Sequence, residues 1–337
     1  MVAQVRVTEH RIVSVVVCAF TQRRWDDLVE AIDSVRAQPE AREVILVIDH
    51  ENELLGRAEE KWGATKVIIA PNRHRQGLSG ARNTGLELAS GELVAFLDDD
   101  AVAAADWLRL LVDCFVDENV VGAGGSAIPN WPSGIPVPTL PPELLWVVGC
   151  TYRGQPRELA EVRNVLGCSM VFRRIPLLTI GGFNVNTGRV GQIPLGGEET
   201  EACIKLRQAF PASRVMFEPR SVVRHRVTAD RTTWRYLRRR SYFEGVSKAA
   251  LSRDLGRQDA LSSERSYVGR ILPGGVWREL CHGHPLGALA IALSLASAGL
   301  GYCYGMSRSR PRISRVAPHT GSRRDDKARA TGRGSSQ

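Results

Sequence analysis

Three groups of side chains in this 337-residue sequence have types and spacing suited to chemistry: Asp98-Asp99-Asp100, Glu198-Glu199 and His225. The aspartates end an apolar run, 93–97. Three successive acids repel one another unless a cation neutralises them. Strand alternation puts Asp98 and Asp100 on one side and Asp99 on the other. Two carboxylates so arranged suit a hard divalent cation, Mg²⁺ or Mn²⁺, that shares its coordination with phosphate oxygens. A neutral imidazole, His225, can complete such a set. The plainer readings are a solvated turn with Asp100 as a helix cap, and an ordinary surface or core histidine. Glu198 and Glu199 follow Gly196-Gly197. A carboxylate there can take the proton from an attacking hydroxyl, although acids in a first helical turn also simply favour the helix dipole. Arg82 and Asn83 lie between Gly80 and Gly85 at a predicted helix start, a position that suits phosphate as well as tight packing with a surface arginine. Asp49 ends a second apolar run, where it can accept hydrogen bonds from a base or ribose, or cap a loop.

These groups need a frame. The run 12–17 is β-branched almost throughout, the pattern of a strand buried on both faces. Helical periodicity follows over 25–35, with Leu28, Ile32 and Val35 on one side. The alternation repeats: strands over 43–48, 66–69, 93–97 and 120–126, helices over 54–62, 79–89 and 106–116. Ser79 is the predicted cap of its helix. Such alternation implies parallel strands with right-handed crossovers and puts ligands at the carboxyl ends of the strands. The fold class is therefore α/β. A Pro-, Gly- and Trp-rich insertion occupies 129–142. Strands are predicted at 165–172, 215–217 and 222–225, and helices at 198–208 and 233–253. Residues 286–304 are apolar and uncharged, about the length that spans a bilayer. Two readings compete for them: a membrane-inserted or membrane-lying helix, and a buried helix packed on the domain. The basic stretch that follows favours membrane association.

The net charge of +9 is concentrated at the end: between 307 and 337 nine Lys/Arg oppose Asp325 and Asp326, leaving the rest almost balanced. That distribution disfavours nucleic acid as a partner of the whole chain. Seven cysteines stand singly, with no CxxC pair, and read as reduced, buried thiols of a cytosolic protein. Residues 1–11 lack an apolar signal core. The organisation read from this is a flexible stretch 1–10, a main domain 11–255, a helical region 256–306 and a disordered basic tail 307–337.

In order along the chain, Ser14-Val-Val-Val-Cys-Ala-Phe-Thr21, Val47-Ile-Asp49, Ala81-Arg-Asn-Thr-Gly85, Phe96-Leu-Asp-Asp-Asp100, Gly181-Gly-Phe183, Gly197-Glu-Glu-Thr200 and His225 resemble the family 2 glycosyltransferases. The resemblance covers residues 11–250 and implies a GT-A Rossmann-like fold with a mostly parallel central sheet flanked by helices. It implies that Asp98 and Asp100, with Asp99, hold a nucleotide-sugar diphosphate and a divalent metal, and that His225 is the third metal ligand. Ala19, Phe20, Thr21 and Asp49 match the nucleotide-contacting region, and Arg82 the loop near the phosphates. Glu199 falls where the family places its base, with Glu198 the alternative. The Gln-x-x-Arg-Trp motif of processive synthases is absent from its place, so transfer of one sugar is implied. The stretches through Trp131 and 141–146, with 161–164 and 197–201, are similar to prokaryotic transferases acting on glucosyl-dolichyl phosphate. That similarity implies a UDP-linked glucuronate donor and a lipid-linked acceptor, with Arg163 and the Trp/Pro-rich stretch facing either the acceptor or the donor sugar.

The implied reaction is an inverting displacement of a nucleotide diphosphate by an acceptor hydroxyl, at the cytoplasmic face of a membrane. Two other classes fit parts of the sequence: an inactive nucleotide-sugar-binding regulator, and a nucleic-acid binder using the tail. The helix over 231–240, with Trp234 and Tyr236, suits either a lipid phosphate or a solvated face with two packed aromatics.

Overall fold

The computed structural model describes residues 12–134, 140–186 and 196–307. The expectations for 1–10 and for the tail beyond 307, and part of the Pro-rich insertion, lie outside the described residues.

The strands are β1 (Val13–Ala19), β2 (Ala41–Ile48), β3 (Val67–Pro71), β4 (Leu93–Asp98), β5 (Ala101–Ala103), β6 (Val120–Asn130), β7 (Ala160–Glu161), β8 (Ser169–Arg173) and β9 (Arg214–Arg226). The helices are α1 (Trp25–Arg36), α2 (Asn52–Trp62), α3 (Leu78–Leu88), α4 (Trp107–Asp113), α5 (Arg174–Thr179), α6 (Glu198–Ala209), α7 (Trp234–Asp254), α8 (Arg257–Ala260), α9 (Ser262–Ser266), α10 (Leu272–Cys281) and α11 (Pro285–Ser307). One sheet runs in the order β3-β2-β1-β4-β8-β6-β9-β5, with β7 beside β9. The first four strands are parallel, as the alternation predicts. β8 is antiparallel to both neighbours. Between β6 and β8 the described residues form a 3₁₀ segment, Pro142–Val148, and the short β7, after which β8 runs antiparallel to β6.

Alternation in β1 sends Val13, Val15 and Val17 into one apolar layer with α1, α2 and α4, and Val16 and Cys18 into a second with α3, α5 and α6. Two-sided burial is why the strand sequence carries no polar period. Each buried Val or Leu contributes about 1.5–3 kcal/mol. α3 lies so close on β1 that a Cβ at Gly85 would come 2.3 Å from Val16 Cγ1.

Several local expectations are corrected. Ser79 lies inside the first turn of α3, and Gly77, at φ 135°, takes the cap position. The strand predicted at 165–172 starts only at Ser169, after a turn closed by Ser169 N–H to Leu166 O. The strands predicted at 215–217 and 222–225 are one, β9. Its register against β6 jumps from Gly125↔Glu218 to Ser126↔Val222, leaving 219–221 as an excursion. Ser126 Oγ donates to Pro219 O and Ser221 Oγ to Trp107 O, both at 2.9 Å, fixing that excursion. Of the seven cysteines, Cys281 and Cys303 are exposed, at the end of α10 and on the outer side of α11.

α11 runs alongside α7 at contact distance. A Cβ at Gly245 would meet Ala298 O at 2.0 Å, and one at Gly301 would meet Tyr242 O at 1.9 Å. Ser241 and Ser294 hydroxyls are 2.8 Å apart.

Candidate active site

The metal-ligand candidates meet because of strand register. β4 ends at Asp98, the chain turns through Asp99-Asp100, and β5 pairs antiparallel with β9 so that Ala101 faces His225. One donor atom each from Asp98, Asp100 and His225 lie within 4.8 Å of one another. His225 Nε2 is 3.3 Å from Asp100 Oδ1. Two carboxylate oxygens and one imidazole nitrogen are a donor set that fits a divalent cation. The buried Asp99 Oδ2 and Glu198 Oε2 have no hydrogen-bond partner among the described residues, so acceptor capacity remains in the site.

Two features hold the imidazole. Gly149, at φ 82°, passes under the ring, where a Cβ would approach His225 Cε1 to 3.0 Å. The Cys150 thiol lies 3.9 Å from His225 Nδ1. Burial works against a charged His225, but Asp100, with Cys150, outweighs it and raises the imidazole to about 10. Burial likewise opposes ionisation of Asp100, yet His225, Arg24 and Arg231 together hold that carboxyl well below its ordinary value.

Arg24, not anticipated from the sequence, donates to Asp99 Oδ1 at 2.9 Å and lies 2.8 Å from Asp100 Oδ2. Its only sequence signal is proximity to the end of β1, in Thr21-Gln-Arg-Arg24. Arg231 reaches Asp100 Oδ2 at 3.8 Å.

Arg82 is 2 % exposed, not a surface residue. It donates to Glu198 Oε1 at 3.1 Å, Asp98 Oδ1 at 3.0 Å and Gly167 O at 2.9 Å. It therefore ties the end of β4 to the start of α6. Glu199 lies part-exposed in the cavity beside this pair. Withdrawal from bulk water, then the negative charge of Glu198, push its carboxyl up to about 7.

A cavity of about 530 Å³ holds Asp98, Asp99, Asp100, Glu198, Glu199 and His225 together. Ala19, Phe20, Asp49 and Arg82 also line it. Thr21 is not part of that lining; it accepts from Arg23 N–H at the following 3₁₀ turn. Asp49 is already engaged: Asn72 Nδ2 donates to it at 2.6 Å and Gly77 N–H at 2.9 Å, anchoring the start of α3.

The far side of the cavity is a chain of alternating charges that sequence reasoning met only in part. Arg240 donates to Glu244 at 2.8 Å, Lys248 lies 2.7 Å from Glu264, and Arg163 donates to Glu264 at 2.5 and 3.0 Å. Arg163 is thus held by α9. Of the basic helix expected over 231–240, α7 forms only from Trp234; Arg231 lies in the 3₁₀ turn before it, and Arg231 and Arg240 both line the cavity while Trp234 stays half exposed.

Residues 14–181 match glycosyl transferase family 2. The chain is 33% identical over 304 residues to a glucosyl-dolichyl phosphate glucuronosyltransferase of Haloferax volcanii, covering 87% of this chain and 96% of that one. It is 24% identical over 250 residues to the succinoglycan biosynthesis protein ExoM of Rhizobium meliloti, covering 70% of this chain and 73% of that one. Among solved structures, a Pyrobaculum calidifontis mannosyltransferase in complex with GDP-Man and Mn²⁺ superposes with a TM-score of 0.59 at 18% identity over 88% of each chain. GalNAc-T7 with UDP, GalNAc and Mn²⁺ gives 0.51 at 18% identity, over 82% of this chain and 59% of that one. The curled α/β sheet flanked by helices is the GT-A fold, and the chain belongs to the family 2 glycosyltransferases.

Proposed function

We propose that this enzyme transfers a single sugar from a UDP-linked donor to a hydroxyl of a lipid-linked acceptor, with inversion at the anomeric carbon. The observation that carries the reading is the placement of Glu199 in one cavity with Asp98, Asp100 and His225, while Arg82 holds the neighbouring Glu198. Glu199 is then the base and Glu198 a positioning residue, an assignment the sequence left open. The relative's glucosyl-dolichyl phosphate acceptor and glucuronosyl product support the lipid-linked acceptor and a uronosyl donor.

In this reading Asp98, Asp100 and His225 hold Mg²⁺ or Mn²⁺. The bound cation supplies positive charge against the charge that gathers on the departing diphosphate. Ala19, Phe20 and Asp49 border the nucleotide, and Arg24 and Arg82 supply positive charge beside its diphosphate, Asp99 contributing by holding Arg24. The acceptor oxygen forms a bond to the anomeric carbon as the carbon–oxygen bond to the diphosphate breaks. The electron pair leaves with the nucleotide, and the acceptor proton passes to the Glu199 carboxylate. Residues 11–255 are the catalytic domain, and the helices over 256–306 close its acceptor side. The reaction belongs at the cytoplasmic face of a membrane.

The test is nucleotide release from a panel of UDP- and GDP-sugars, with and without chelator, using a glucosyl-polyprenyl phosphate acceptor. UDP release that needs both acceptor and metal supports the reading. Release from GDP-sugars alone, turnover unaffected by chelation, or a product whose NMR anomeric coupling shows the donor's own configuration rejects the corresponding part.

A further inference from the structure

α11 buries some of its apolar side chains, Ile291 with Ala288 and Ala290, but much of its buried side is small or polar: Gly287, Ser294, Ser297, Gly301 and Gly305. Leu286, Leu289 and Leu300 are 60%, 54% and 68% exposed. Water drives large apolar side chains inward and hydroxyls outward. Helices can also be joined through small residues and hydroxyl hydrogen bonds. The α7–α11 contact is of this kind, and it leaves the leucines of α11 on the solvent-facing side. Ser241, Gly245 and Ala249 repeat every fourth residue on α7, against Ser297, Gly301 and Gly305 on α11. The Ser241–Ser294 pair and the Tyr302 hydroxyl donating to Ser252 join the two helices.

By length and mean hydropathy, 1.7, α11 suffices to cross a bilayer. Its attachment argues against crossing. α7 follows it from Ser241 to Arg253, whose guanidinium donates to Gly305 O. A spanning α11 would carry the charged side chains of α7, Arg240, Glu244, Lys248 and Arg253 among them, into hydrocarbon. Lying along the surface avoids this, because only the leucine face is immersed. The chain itself indicates the charge of that surface: residues 308–337 continue directly from α11 with nine Lys/Arg against two acids. On α10, which packs on α11, Trp277 is 72% exposed, and tryptophan favours the headgroup boundary.

We propose that α11 docks lengthwise on a bilayer containing anionic lipids, with Leu286, Leu289 and Leu300 in the boundary between headgroups and acyl chains. Leu295, Ala298 and Tyr302 of the same helix line the catalytic cavity. Docking in this manner sets one wall of the cavity at the membrane, so a lipid-linked acceptor reaches Glu199 without its chain leaving the bilayer. This last step rests on the acceptor reading given above; the docking itself does not.

The test is flotation of the purified full chain with vesicles of phosphatidylcholine alone and of phosphatidylcholine with phosphatidylglycerol, without donor or acceptor. Binding to the anionic vesicles that weakens with salt, and release by an alkaline carbonate wash, are the expected results. The triple substitution L286S/L289S/L300S should lower partitioning by about a hundredfold. Its thermal unfolding and its Mn²⁺-dependent UDP binding should match wild type. Binding to neither vesicle, equal flotation of the triple variant, or resistance to carbonate overturns the proposal. So does a wild-type dimer, unable to bind vesicles, that the triple variant turns into monomer, since the face would then meet a second copy. A chain that floats as described but transfers no sugar leaves docking intact and sinks only the catalytic reading.

Discussion

Arg82 Nη1 lies 3.1 Å from Glu198 Oε1, in a part of the site where neither group meets bulk water. Adjacent acids in sequence thereby receive different work. Glu198 is bound to a fixed cation that also grips Asp98, and Glu199 is left to face the cavity.

Substitution should separate the two. Glu199→Gln is expected to lower kcat by about 10²–10⁴ while donor affinity stays near wild type. Glu198→Gln leaves half of a buried ion pair and should cost about 2 kcal/mol of stability, with a changed donor KM. Thermal unfolding beside steady-state kinetics checks this; a Glu199 variant with normal turnover would remove it as the base.

The pH profile follows from the same pair. A base works deprotonated, and Glu199 is raised to about 7. kcat should therefore fall about tenfold per unit as pH drops below about 7, and level off above it. Glu198→Gln removes the neighbouring negative charge and should move the inflection downward. An inflection near 4 in the wild type would contradict the assignment.

Metal affinity should depend on all three donors. Asp100→Asn and His225→Ala are each expected to weaken Mn²⁺ binding by about 10–100-fold or more, read by titration calorimetry in the presence of UDP. Unchanged affinity in either variant would take that residue out of the ligand set.

The α7–α11 contact should tolerate no added carbon. Gly301→Val places a side chain 1.9 Å from the Tyr242 carbonyl oxygen, and the resulting strain is expected to cost about 3 kcal/mol. A lowered midpoint in denaturant unfolding is the readout. A wild-type midpoint would mean the helices separate freely.

Much of this was legible in the sequence because burial on two faces leaves a simple mark. The runs in β1, β2 and β4 are apolar apart from Ser14, Arg42 and Glu43 at the start of β2, and Asp98 at the end of β4, and the helices between them keep a periodic face. Strand alternation, a local rule, puts Asp98 and Asp100 on one side, whereas His225 is assigned to them through the resemblance to family 2 glycosyltransferases, because the β5–β9 pairing that brings it near is tertiary. The antiparallel entry of β8 could not be read, since it depends on where the loop before it turns. Arg24 carries no pattern of its own; its partners lie 75 and 76 positions away, and only the parallel pairing of β1 with β4 brings them near. The two faces of α11 were not legible for a different reason: composition reports how apolar a helix is, but not that its small residues point inward.

The three residues 219–221, which β9 carries beyond its pairing with β6, separate the register of its first part from that of its second. His225 is therefore placed by its own neighbours, Pro129 on β6 and Ala101 on β5, and not by counting from the start of the strand. A change of length confined to the excursion can be absorbed there while the imidazole keeps its side of the sheet.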